Sequence, residues 1–150
     1  MTQTTTVRPA TAHDVSAVET LLASFDLPTA GVADHIADFV VAEDGGTIVA
    51  SAGIELYGTS ALLRSVAVKP AYRGQGLARV LVEHLLVRAR RTGVRTIFLL
   101  TSTAPDYFAR LGFAAIPDVD VDPGVRASKE FDSCCCAGAQ TMRLALGGTR

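Results

Sequence analysis

Between Thr11 and Ser24 apolar residues return at Val15, Val18, Leu21 and Leu22, the spacing of a helix with one buried stripe. Thr11 opens that segment and Asp14 follows three residues later, the arrangement in which the first and fourth residues cap each other's backbone donors. Val7–Pro9 ahead of it reads as a short strand. Pro28–Thr29 starts a second, shorter helical segment with Val32, Ile36 and Phe39 on one side. Strand-like residues over Phe39–Glu43, a tight turn at Asp44–Gly46 and a return over Thr47–Tyr57 predict a hairpin.

Gly58–Ser60 turns the chain into Leu62–Val68, a central strand that Pro70 ends. Arg73-Gly74-Gln75-Gly76 then opens a long helix whose apolar face carries Leu77, Ala78, Leu81, Val82, Leu85, Leu86 and Ala89, with Arg79 and Glu83 as an exposed pair. Gly93 caps it and Val94–Leu100 resumes as strand, which makes a right-handed crossover to a parallel neighbour. Ala104–Arg110 forms a short helix ended by Gly112, and Phe113–Ile116 and Gln140–Leu146 are the final strands. Pro117–Gly124 reads as a turn-rich acidic loop, and Arg126–Ala139 shows no clear period. The order predicts an α/β fold, a mixed central sheet flanked by helices, in a single domain over 1–150 with its core at about 6–146. It has too few alternating units, and the wrong glycine spacing, for a dinucleotide-binding domain.

Composition narrows the function classes. Of 150 residues, 49% are hydrophobic and 19% charged, with a net charge of -1, which excludes wholesale disorder and predicts no general attraction to nucleic acid or membrane. The mean hydropathy of +0.31 raises the question of a membrane span. Apolar runs such as Ile97–Leu100, which meets Thr101 and Ser102, fall far below the roughly 18 residues a span needs. Thr2–Pro9 lacks the apolar core of a secretion signal, so a cytoplasmic protein is expected. Cys134, Cys135 and Cys136 are consecutive and cannot all converge from an extended segment; buried neutral thiols, redox-labile surface thiols and metalloid contact are the open readings. His13, His35 and His84 lie too far apart in sequence to declare a metal site, and Arg88, Arg90 and Arg91 suit a helix end.

The sharpest chemical signal is Val68-Lys69-Pro70-Ala71-Tyr72-Arg73-Gly74-Gln75-Gly76-Leu77-Ala78. A strand ends, and glycines admit a close approach to the N–H donors and dipole of the next helix, a place suited to phosphate. The Lys-Ser/Thr pair of a P-loop is missing. This segment resembles the cofactor motif of the GNAT acetyltransferase superfamily, with Arg73, Gly76 and Ala78 at its defining positions. Ala61–Val68, Phe98–Thr101 and Tyr107–Phe113 also look like GNAT core segments, so the resemblance spans about Thr6–Leu146. It implies acetyl-CoA as cofactor, its diphosphate on Arg73, Gly74, Gln75, Gly76, Leu77 and Ala78, and its pantetheine arm along the strand edge at Val66, Ala67 and Val68. Arg126–Phe131 before the cysteines resembles a subgroup associated with arsenic-resistance operons, and is similar to the acetyltransferase domain of N-acetylglutamate synthases.

That resemblance implies acetyl transfer to an amine, which needs an unprotonated nucleophile, a polarised carbonyl and a proton for the leaving thiolate. Glu55 is the candidate general base, acting directly or through water; it shares strand parity with Gly53 and Tyr57, and Tyr57 is a candidate substrate contact, although both side chains could instead line the solvent side of the sheet. Arg64 sits in an apolar strand and needs an anionic substrate, an internal acid or a path to solvent. Arg126 is a second candidate for a substrate carboxylate. Many GNAT proteins carry a Tyr four residues before the Gly of the final Leu-Gly-Phe element, where this chain has Phe108. Tyr107 becomes the candidate proton donor, although neighbouring helical residues face about 100° apart, with Ser102 or water as alternatives. The expected function is acetylation of a small, anionic, amino-acid-like amine by a monomer or homodimer, with a link to arsenic resistance. The alternative is a non-catalytic acyl-CoA-binding regulator or metalloid sensor.

Overall fold

The computed structural model describes residues 5–101, 104–129 and 139–146. Strand β1 (Thr6–Pro9) leads into the Thr11 cap, where the Thr11 N–H donates to Asp14 at 2.7 Å and the Thr11 hydroxyl accepts from the His13 N–H at 3.3 Å. A 3-10 turn over Ala12–Asp14 then feeds α1 (Val15–Ala23), with Val18, Leu21 and Leu22 buried on the expected stripe. Arg8 grips both carboxylate oxygens of the buried Asp14, at 2.8 and 3.0 Å, and tethers the helix start to β1. The second helix is shorter than its apolar spacing suggests. Pro28–Ala30 stay outside it, and α2 (Val32–His35) begins only after Gly31, whose φ of +86° breaks the helical path.

The hairpin forms as expected from β2 (Phe39–Asp44) and β3 (Thr47–Tyr57), closed by Gly45 and Gly46 at φ +58° and +86°. Next comes β4 (Ser60–Val68), two residues longer at its start than the apolar run, and then a 3-10 turn at Pro70–Tyr72. Helix α3 (Leu77–Arg91) buries Leu77, Leu81, Val82, Leu85 and Ala89, the predicted face. Burying each such leucine is worth about 1.5–3 kcal/mol. The remaining elements are β5 (Thr96–Thr101), α4 (Pro105–Arg110), β6 (Ala114–Ala115), α5 (Pro123–Arg126) and β7 (Gln140–Ala145). Helix α5 stands where a loop was expected; Asp122 followed by Pro123 at its first position was the available signal.

The strands make one seven-stranded mixed sheet in the order β1-β2-β3-β4-β5-β7-β6, parallel only at β4–β5. One face packs on α3 through Ile54, Leu63, Ile97 and Leu99. The other meets α1 and α2 through Phe39, Val41 and Val32, and α5 through Leu62, Phe98 and Val125. Among the described residues no helix is long and apolar enough to cross a membrane.

Candidate active site

Strands β4 and β5 pair only from Ser60↔Thr96 to Leu62↔Phe98. Beyond that point the two part, β4 held by β3 and β5 held by β7 along its full length. A cavity of about 770 Å³ occupies the split, within the roughly 300–1,000 Å³ usual for small-molecule sites. Leu63–Val68 form one wall and Leu99–Thr101 with Ala104, Tyr107 and Phe108 the other, while Phe25–Pro28 roof it. Arg73, Gly74, Gly76 and Ala78 stand at one end.

The β4 wall is bent by a bulge. Its register to β3 passes from Gly53↔Arg64 to Ser51↔Ala67, so β4 carries one extra residue. Ser65 absorbs it at φ +60°, held by the Ser51 hydroxyl donating to its carbonyl at 2.8 Å. Val66, Ala67 and Val68 follow on the cavity wall with their β5 side unpaired by strand.

At the mouth, Gly74 and Gly76 take φ of +82° and +77°, and a Cβ on either would meet nothing within 4 Å. Gly76 caps α3 without a side-chain bond, which leaves the first-turn N–H donors of that helix to face outward. Bare donors, a positive helix end and uncrowded backbone suit a phosphate-bearing group. Arg73 stands beside them, its Nε donating to the Val68 carbonyl at 3.0 Å and its guanidinium 5.1 Å over the Phe25 ring. Gln75 is exposed and the Leu77 side chain turns into the core, so any part Leu77 plays here is through its backbone.

The other expected residues scatter. Tyr107 and Phe108 both line the cavity; burial pushes the Tyr107 phenol above its ordinary value. Glu55 and Tyr57 line neither wall and do not face solvent as a pair: Glu55 is fully buried. Burial alone would raise the Glu55 carboxyl, but hydrogen bonds from Ser128, Tyr57 and Arg64 outweigh it and hold the group below the ordinary carboxylate range. A carboxylate held by three donors and outside the cavity offers no direct uptake of an acceptor's proton. Arg64 reaches the cavity wall, yet its guanidinium is spent on Glu55 at 2.7 Å and on backbone carbonyls, the internal ion pair among its expected alternatives. Arg126 is exposed on α5, outside the cavity lining, and does not converge with Arg64. Ser102 and Cys134, Cys135 and Cys136 lie outside the described residues.

Sequence reasoning missed the Phe25–Pro28 roof, Ser65 and Ser128. Only Pro28 carried a local signal, as a breaker. The strain at Ser65 and the long-range bond of Ser128 leave no trace in periodicity.

A mixed sheet split between its two parallel strands, with a glycine turn and the uncapped start of α3 at the mouth, defines an α/β domain whose cleft suits a phosphate-bearing ligand. The chain belongs to the acetyltransferase (GNAT) domain family, whose profile matches residues 35–115. It is 34% identical over 86 residues to an uncharacterized N-acetyltransferase of Chlorobaculum tepidum, a match covering 57% of this chain and 55% of that protein. It is 37% identical over 96 residues to the amino-acid acetyltransferase of Pseudomonas fluorescens, covering 63% of this chain but 22% of the relative. The chain thus spans about half of the first relative's length and under a quarter of the second's. Its fold resembles N-acetylglutamate synthase from Neisseria gonorrhoeae, solved with coenzyme A and N-acetyl-glutamate, at a TM-score of 0.83 and 19% identity over 99% of this chain and 36% of that one. Rv2747 of Mycobacterium tuberculosis, solved with CoA, matches at a TM-score of 0.74 and 25% identity over 93% and 98% of the two chains.

Proposed function

We propose that this chain transfers the acetyl group of acetyl-CoA to the amine of a small, amino-acid-like molecule. The observation that carries the reading is the β4–β5 split with the Gly74–Gly76 turn at its mouth. Family membership, the amino-acid acetyltransferase relative and the two CoA-bound structural relatives support it.

Bound acetyl-CoA supplies a thioester whose carbonyl carbon accepts the amine. In this reading the N–H donors of Arg73, Gly74, Gln75, Gly76, Leu77 and Ala78 hold the diphosphate, helped by the α3 dipole. The open edge at Val66, Ala67 and Val68 takes the pantetheine arm and offers donors to the carbonyl as its charge develops. Tyr107, on the cavity wall and protonated at neutral pH like any phenol, donates to the departing thiolate, a step Phe108 cannot serve. Glu55 stays charged against Arg64, and the acceptor loses its proton to water. An anionic acceptor, a cytoplasmic setting and a link to arsenic resistance are the finer parts of the proposal. They are supported by the likeness of Arg126–Phe131 to the arsenic-operon subgroup.

The test combines purified protein, acetyl-CoA and a panel of acidic, neutral and basic amino acids, following free thiol and acetylated product by mass spectrometry. Product that appears only with acetyl-CoA, and disappears when the Arg73–Gly76 turn is disrupted, is the expected result. Tight CoA binding with no product on any amine would overturn it. That outcome would favour the second reading, a non-catalytic acyl-CoA binder, for which Phe108 on the cavity wall is the supporting observation.

A further inference from the structure

The roof of the cavity and the bulge of its β4 wall are joined by one side chain. The Arg64 side chain has no exposed surface. Its Nε donates to the Ser65 hydroxyl at 2.9 Å, at the bulge itself. One terminal nitrogen donates to Glu55 Oε2 at 2.7 Å and to the Ala30 carbonyl at 2.7 Å, and the other to the Pro28 carbonyl at 3.2 Å. Pro28 belongs to the roof, and Ala30 follows it in the same segment.

Neighbouring contacts lock this arrangement. Gly31, at φ +86°, lets the segment descend onto the guanidinium; a Cβ there would lie 2.9 Å from an Arg64 terminal nitrogen. Glu55 is steadied by hydroxyl donation from Tyr57, and from Ser128 at 2.5 Å. Lys129 bonds Asp34 of α2 at 2.8 Å, so the chain after α5 clasps the same segment from outside. The 28–30 segment, β3 and the β4 bulge meet at one buried cation, and the chain after α5 reaches it through Glu55.

We propose that Arg64 is a positioning residue: by tying the Pro28–Ala30 carbonyls to the Ser65 bulge it sets the height of the roof, and so the placement of the acceptor amine, without binding that amine. The proposal rests on the acetyl-transfer reading for the identity of what is placed, and on geometry alone for the tie. A guanidinium can span a carboxylate, a hydroxyl and two carbonyls in fixed directions; a lysine ammonium, with three donors at one point, cannot.

The experiment compares wild type with Arg64→Lys, in two arms. Kinetics on an amino acid and on its carboxamide analogue should show the amine KM raised about tenfold or more for both, with kcat and the acetyl-CoA KM held within about twofold. Hydrogen exchange should be faster in peptides within residues 25–36 and unchanged in α3. Gly31→Ala, which removes no polar group, should raise the amine KM in the same way. If Arg64→Lys does not fold, the double variant Glu55→Leu, Arg64→Met removes both buried charges together and gives the same readouts.

A penalty confined to the carboxylate-bearing amine would mean direct substrate contact and overturn the proposal, as would unchanged KM and exchange. A wild-type protein that acetylates nothing removes the functional reading and the acceptor's part in this one. The exchange arm then still decides whether Arg64 holds the roof.

Discussion

Replacing Gly74 with alanine separates the conformational cost of the turn from its binding role, because Gly46 supplies a matched control. Gly74 and Gly46 sit at φ +82° and +86°, and a Cβ on either meets nothing within 4 Å. Forcing an L-residue into that region costs about 1–2 kcal/mol, partly offset by the lower entropy of the unfolded alanine chain. A net loss of about 1 kcal/mol lowers the midpoint by about 2–4 °C in a chain of this size. Both variants should show that drop in a thermal melt. Only Gly74→Ala should weaken CoA: alanine keeps the N–H, but as it relaxes away from φ +82° that donor turns out of the cradle proposed for the diphosphate. If the turned donor loses its bond to a charged group, the cost is about 1.5–3 kcal/mol, which corresponds to roughly ten- to hundredfold in Kd. Titration calorimetry with CoA reads the difference directly. If Gly74→Ala binds CoA as tightly as Gly46→Ala while melting equally early, the turn does not hold the diphosphate.

Tyr107→Phe should lower kcat at least about tenfold with CoA affinity held within twofold, measured by thiol release; an unchanged kcat would assign the proton to water. Gly53→Ala should destabilise the fold by about 1–3 kcal/mol in urea melts. Its Cβ would come within 2.3 Å of the fully buried Phe39 ring, which lies across Gly53 from the paired strand. Arg8 lowers the Asp14 carboxyl from 3.8 to about 2, so the stability this pair adds is complete above 3.8 and is lost as pH falls through about 2. Asp14→Asn should flatten that acid limb in pH-dependent melts. Glu55→Ala leaves a buried guanidinium without its carboxylate and should cost about 3–5 kcal/mol at neutral pH by chemical denaturation.

The first helix cap, the first hairpin turn and α3 were legible because their signals are local. The Thr11–Asp14 cap, the Gly45–Gly46 turn and the α3 stripe each act within a few residues, and each formed where expected. Strand parity put Glu55 and Tyr57 on one face; only the β3–β4 register, with Gly53 opposite Arg64, added Arg64 to it. It could not reveal that α2 and the chain after α5 cover that face, which turned two possible site residues into a buried joint. Helix α5 was hidden by its length: four residues carry no period.

The residues by themselves determined a helix, strand and turn order, the glycine turn before α3 and the departure at Phe108, because propensity, periodicity and backbone freedom are properties of short stretches. Only the tertiary structure decided that β7 enters between β5 and β6, that β4 and β5 separate after Leu62, and that Ser128 reaches Glu55 across 73 residues. Those outcomes depend on register, on a bulge at Ser65 and on which buried charge finds which partner. Such choices are settled by the whole sheet closing at once.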